Sequence, residues 1–158
     1  MLSPPHRANL LNPAYNVVGL GVVRGSGTHG EDHIYIVEDF GHALPHSSPA
    51  EVKDRVAAAV NQMRRQASQS ELTRRDLLTA DDAACSMAQA DKLGTSPIHQ
   101  LAQRSTVLTF TSLHPEALPN GAEQAIGSRT LHSFSVGACY ARTDTYPTGV
   151  YWVVLSLD

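Results

Sequence analysis

Two cysteines, Cys85 and Cys139, and eight histidines are the residues of this 158-residue chain best suited to forming bonds. The two thiols could close one bridge in an oxidising compartment or stay reduced and buried in a reducing one. Histidine titrates near neutral pH and ligates metals when a partner stands at helical or strand spacing. His29, His33, His42, His46, His114 and His132 stand in loops or at strand edges without such a partner. Glu38 and Asp39 are adjacent carboxylates, but neighbours on a strand point to opposite faces and cannot share one substrate atom. By the same rule Tyr151 and Trp152 send one ring inward as core and one outward, where it could bind something. The chain has no G-x-S-x-G elbow, P-loop, H-E-x-x-H or C-x-x-C, so no catalytic constellation emerges from spacing alone.

The elements that must position these residues read as helices and hairpins. Ser3-Pro4 opens a short helix that Asn12-Pro13 ends. Val17 to Val23 and Ile34 to Val37 are β-rich runs joined by the turn chemistry of Gly25 to Gly30, which makes a hairpin with a long loop. Ala43 to Ser47 reads as a linker, and Ser48-Pro49-Ala50-Glu51 is a capping box that starts a new unit. Val52, Val56, Ala59, Val60 and Met63 then recur at helical spacing, predicting a helix over Pro49 to Gln66 with one apolar face. A second helix is expected from Ala80 to Leu93, capped by Thr79, with Asp81 and Asp82 at its positive end and Gly94 as its stop. Ser96-Pro97 opens another short helix, and Val107 to Thr111 reads as a strand. A closing hairpin runs from Phe134 to Arg142 and back through Val150 to Leu155. Its Val-Gly opening, terminal Arg and Tyr-bearing return strand repeat Val18-Gly19, Arg24 and Tyr35-Ile36-Val37, the mark of a divergent internal duplication. The fold class expected is α+β.

Composition narrows the function classes. With 42% hydrophobic and 17% charged residues and a formal net charge of -3, the chain reads as a folded, soluble protein. Arg64-Arg65 and Arg74-Arg75 are its only basic doublets, so no footprint for phosphate backbones is visible and nucleic acid is not an expected partner. No apolar run reaches the roughly 18 residues of a transmembrane helix, and Met1 to Pro5 has neither region of a secretory signal.

Ser3-Pro4-Pro5-His6-Arg7-Ala8-Asn9-Leu10-Leu11-Asn12-Pro13, followed by Val18-Gly19-Leu20-Gly21-Val22 and Glu38-Asp39-Phe40-Gly41, resembles the closing segment of bacterial CAP domains, relatives of the cysteine-rich secretory, antigen-five and pathogenesis-related proteins. Val60-Asn61, Arg64, Leu72, Leu77 and Ala83 to Ala88 look like the opening helices of the same fold, much altered. The resemblance implies residues 1-44 as the C-terminal segment of one CAP domain and 45-158 as a divergent CAP-like unit, an α/β/α sandwich with antiparallel hairpins covered by helices. It implies an extracellular or periplasmic location and a pairing of Cys85 with Cys139 after export. In the family two His and two Glu converge in a cleft that can hold a divalent metal, zinc or calcium. Only His6 matches one of them by motif, and His99 and Glu123 are the loosely placed candidates in the second unit.

Three functional expectations follow. One is a non-enzymatic extracytoplasmic module that binds a protein, a lipid or a cell-wall component. Another is a metal-dependent hydrolase using His6, His99 and Glu123. The third is a fragment of a longer secreted CAP protein, since Met1 falls where the family is in mid-domain. An unsheathed first hairpin would bury its apolar surface against the second unit or another chain, so a homo-oligomer through that hairpin is also expected.

Overall fold

The computed structural model describes residues 3–26, 32–43 and 47–158. The chain divides into two compact units, Met1–His46 and Ser47–Asp158.

In the first unit, helix α1 (Pro4–Leu10) begins after Ser3, with proline in its first turn. Its termination has a local cause: the Asn12 side chain accepts from the Ala14 N–H at 2.9 Å, a turn that competes with helical bonding. Strands β1 (Val17–Ser26) and β2 (Asp32–Gly41) then pair antiparallel, with Val18 opposite Phe40 and Val23 opposite Tyr35. Asn16 and Ala43 close the open end through reciprocal side-chain to backbone bonds of 2.6 and 3.1 Å. The strands run further than their apolar cores, and the expected turn falls mostly on residues outside those described, as does His46.

The second unit is α+β. Helix α2 (Pro49–Gln66) occupies the span its periodicity predicts, and the capping box is formed: the Ser48 side chain accepts from the Glu51 N–H while Glu51 accepts from the Ser48 N–H at 2.7 Å. After it come β3 (Thr73–Arg74), α3 (Leu78–Ala90), α4 (Ser96–Leu101), β4 (Thr106–Ser112), α5 (Ala122–Ile126), β5 (Ser133–Ala141) and β6 (Val150–Leu157). The sheet order is β3-β5-β6-β4, with only the β3–β5 pair parallel.

Alternation along the strands sorts side chains to two faces, and helices cover both. Phe134, Val136, Tyr151, Val153 and Leu155 form one core with Val52, Val56 and Val60 of α2 and Ala122 and Ile126 of α5. Val150, Trp152 and Val154 form the other with Ala83, Ala84 and Met87 of α3 and Ile98 of α4. The result is three layers, helices on sheet on helices. Gly137 makes the second packing possible, because a Cβ there would collide with the Ala80 carbonyl and stand 2.8 Å from the Asp81 nitrogen. The disulfide Cys85–Cys139, with Cα atoms 5.1 Å apart, ties α3 to β5 on the same face.

Several local expectations need correction. Thr79 is not the cap of the second helix: α3 starts at Leu78 after Leu77, with no side-chain cap. It ends at Asp91 in the left-handed conformation (φ 49°) rather than at Gly94. Tyr151 and Trp152 do face opposite sides, yet both are buried, because the sheet is covered on both faces. No outward aromatic exists there.

Candidate functional site

The expected metal candidates are spread over the molecule. His6 is exposed on α1, where no residue is buried, and its Nδ1 hydrogen-bonds the Ser3 hydroxyl at 2.7 Å. His99 is exposed on α4, the helix whose Ile98 packs on the α3 face of the sheet. Glu123 is exposed on α5, whose Ala122 and Ile126 pack on the α2 face. The sheet therefore stands between the layers that carry His99 and Glu123. Among the described residues no group of three or more His, Cys, Asp or Glu is placed to hold a metal ion.

The structure instead opens a cleft of about 920 Å³ at one end of the second unit's sheet. Its walls follow from the chain path. The connection from β3 to α3 supplies Arg75 and Leu77 and the start of α3 supplies Thr79 on one side, and α4 with its run into β4 supplies Pro97, Gln100, Leu101, Gln103 and Arg104 on the other. Ser156 and Asp158, at the end of β6, form the floor. The α3-side wall is anchored from behind. Arg74 holds Asp54 at 2.6 Å and also binds Asp76, and those contacts, Asp54's first, raise its pKa and keep it charged.

The floor interrupts an otherwise apolar sheet face. Ser135 lies opposite Ser156 in the β5–β6 register, on the face where Cys139, Trp152 and Val154 are packed. Both serines are buried, and the Ser135 hydroxyl has no hydrogen-bond partner, a costly arrangement for a buried polar group. Arg75, Arg104 and Asp82 also line the cleft, and Asp158 accepts from the Ser105 hydroxyl. Leu77, Pro97 and Leu101 supply an apolar wall. A cleft of this size, apolar with a few polar groups, suits a small organic ligand or a short peptide segment. Its lining holds no histidine or cysteine.

Comparison with known proteins yields no matching family profile, no matching curated protein and no matching solved structure.

Sequence reading missed the cleft, although a signal was present. Ser133, Ser135 and Gly137 alternate along one strand, and Ser156 sits across from them, so one face of an apolar hairpin carries small polar residues at period two. Around the disulfide, Cys85 and Cys139 line a second surface hollow with Asp91, Arg142 and Asp144. Two further histidines have bland partners, His42 with its Nδ1 3.0 Å from the Ala14 carbonyl and His114 3.7 Å from Glu116, while His29 and His46 lie outside the described residues.

Proposed function

We propose that this protein is a non-enzymatic, extracytoplasmic CAP-like binding module whose second unit takes a ligand in the cleft above Ser156. The cleft carries this reading: the serines Ser105 and Ser156, charges of both signs and an apolar wall are recognition chemistry for a ligand with polar and apolar parts. The Cys85–Cys139 disulfide supports an oxidising compartment, and the resemblance of the Ser3 to Gly41 stretch to CAP domains supports the family. Lipid and cell-wall ligands both fit the expectation drawn from that resemblance. Among the described residues, no helix is long and apolar enough to cross a membrane.

The test is a titration of the full chain, followed by amide chemical shifts, with muropeptide fragments in one arm and anionic phospholipid micelles in the other. Saturable shifts at Ser135 and Ser156 are expected with one of them, weakened about tenfold or more by Arg75→Ala with Arg104→Ala, a loss of ~1.4 kcal/mol. Absence of saturable shifts in both arms rejects the cleft as a ligand site. Turnover of a substrate that disappears in His6→Ala would overturn the non-enzymatic reading.

A further inference from the structure

The cleft at the end of the second unit's sheet holds charged and amide side chains that the fold leaves unused. Arg75, Asp82, Gln100, Gln103 and Arg104 line it, and among the described residues none of their side chains makes a hydrogen bond or an ion pair. The carboxylates beside them in sequence are already engaged. Asp76, next to Arg75, is held by Arg74 together with Asp54. Asp81, next to Asp82, binds Lys53 at 2.9 Å through one oxygen and accepts from the Ala138 N–H through the other. Asp158 accepts from the Ser105 hydroxyl. What stays free in the cleft is a pair of guanidinium groups, the Asp82 carboxylate and the two glutamine amides, beside the apolar wall of Leu77, Pro97 and Leu101.

Each of these groups calls for a different complement. A guanidinium pairs with a carboxylate or phosphate through two parallel N–H donors. A carboxylate takes an ammonium, and a side-chain amide, donor and acceptor at once, matches a peptide bond. Exposed ion pairs are worth little in water, but a ligand that lies over these groups and excludes water strengthens each of them. An anionic lipid would satisfy the arginines and be repelled by Asp82 and Asp158. A nucleobase would need an aromatic face to stack on, and no described residue of the lining is aromatic.

We propose that the cleft takes a short zwitterionic peptide. Its free carboxylate lies on Arg75 and Arg104, its free ammonium on Asp82, its amides on Gln100 and Gln103, and an aliphatic side chain against the apolar wall. This rests on the reading of the cleft as a ligand site and selects among the ligands of that site, a peptide with both ends free in place of a lipid. The volume of about 920 Å³ lies toward the upper end of ordinary ligand pockets and admits a peptide of a few residues. Cell-wall stem peptides and the products of proteolysis share this chemistry.

The test is a titration of the full chain followed by amide chemical shifts, with alanyl-leucyl-alanine as the probe: both ends free, N-acetylated, C-amidated, or blocked at both ends. The free-ended peptide is expected to give saturable shifts at Asp82, Arg104 and Ser156, and each single block to weaken binding about tenfold. Asp82→Asn should abolish the penalty for acetylation and keep that for amidation, and Arg75→Ala with Arg104→Ala should do the reverse. These ratios compare ligands on one variant, so a general loss of folding cannot produce them. A D-alanine at the C-terminus of the probe tells the two sources apart, since tighter binding than with L-alanine names the wall stem and weaker binding a proteolytic product. Equal affinity for the free and doubly blocked peptides overturns the proposal and leaves the cleft a ligand site. Saturation by anionic phospholipid micelles with no response to the free-ended peptide does the same. No shift in the cleft with peptide or micelle overturns the proposal together with the reading of the cleft beneath it.

Discussion

The two hairpins of this chain are built from similar residues and meet opposite fates. In β5–β6 every residue of the return strand is buried, with Tyr151 on α2's side and Trp152 on α3's. In β1–β2 the matching strand is exposed along most of its length. Strand propensity is comparable, so the difference lies in what surrounds each ribbon: β4 along seven residues of one edge, β3 on the other, and a helix layer on each face for the second. A β-rich hairpin is thus a request for layers, and only the second unit supplies them within itself.

The largest test of that contrast is the disulfide. Cys85 and Cys139 are 54 residues apart, so replacing both by serine should cost the second unit about 4 kcal/mol in the chain-entropy account. Urea unfolding should show this loss while hydrogen exchange in β1 and β2 stays unchanged. A shift in both would mean the ribbons share stability.

The glycine pair sharpens the comparison further. Gly137→Leu must displace the Ala80 carbonyl and is expected to cost about 3 kcal/mol. Gly19→Leu meets open space and should leave the melting of the second unit untouched. Arg64→Met comes next. Its guanidinium is buried and donates to the carbonyls of Ser70, Ile126 and Ser128 at 2.8 to 2.9 Å, so losing it should cost about 2 kcal/mol by leaving those acceptors unpaired. The smallest effect is at the α2 cap, where Ser48→Ala should lose about 1 kcal/mol.

That cap also sets a pH dependence. The Ser48 N–H, and then its hydroxyl, hold the Glu51 carboxyl below its ordinary pKa. A depressed folded pKa means the cap's contribution is present above the unfolded value and is lost as pH falls through the folded one. Amide exchange at Ser48 should therefore depart from the intrinsic pH trend on acidification, and Glu51→Gln should remove that departure.

How much of this was legible depends on whether a residue's neighbours are local. The α2 helix announced itself through Ser48, Pro49, Glu51 and the valine period, all within the helix. The α3 boundaries did not, since Leu77 and Leu78 give no capping signal and Asp91 stops the helix through its own left-handed backbone. Strand β3 has two residues and exists only because Phe134 and Ser133 lie beside it. Arg64 stands in the sequence as half of a basic doublet, and its burial depends on carbonyls distant in sequence. The motif shared by the two hairpins is visible in the sequence, but their registers are not. Tyr35 pairs with Val23, five residues after Val18, whereas Tyr151 pairs with Tyr140, four after Val136. One residue of slip puts the two tyrosines on different faces relative to their valines. In the candidate site, His6, His99 and Glu123 were nominated singly, whereas the cleft is made by serines and connections that acquire meaning only once the strands are paired.

The acceptors of Arg64 bear on how the second unit is born. Ile126 and Ser128 lie 62 and 64 residues beyond it, and the neighbouring Gly127 carbonyl is taken by Gln69 at 2.7 Å. During synthesis the end of α2 therefore emerges long before its anchors, and its guanidinium stays hydrated until they leave the ribosome. The apolar stripe of α2 waits with it for β5 and β6, which begin only at Ser133 and Val150.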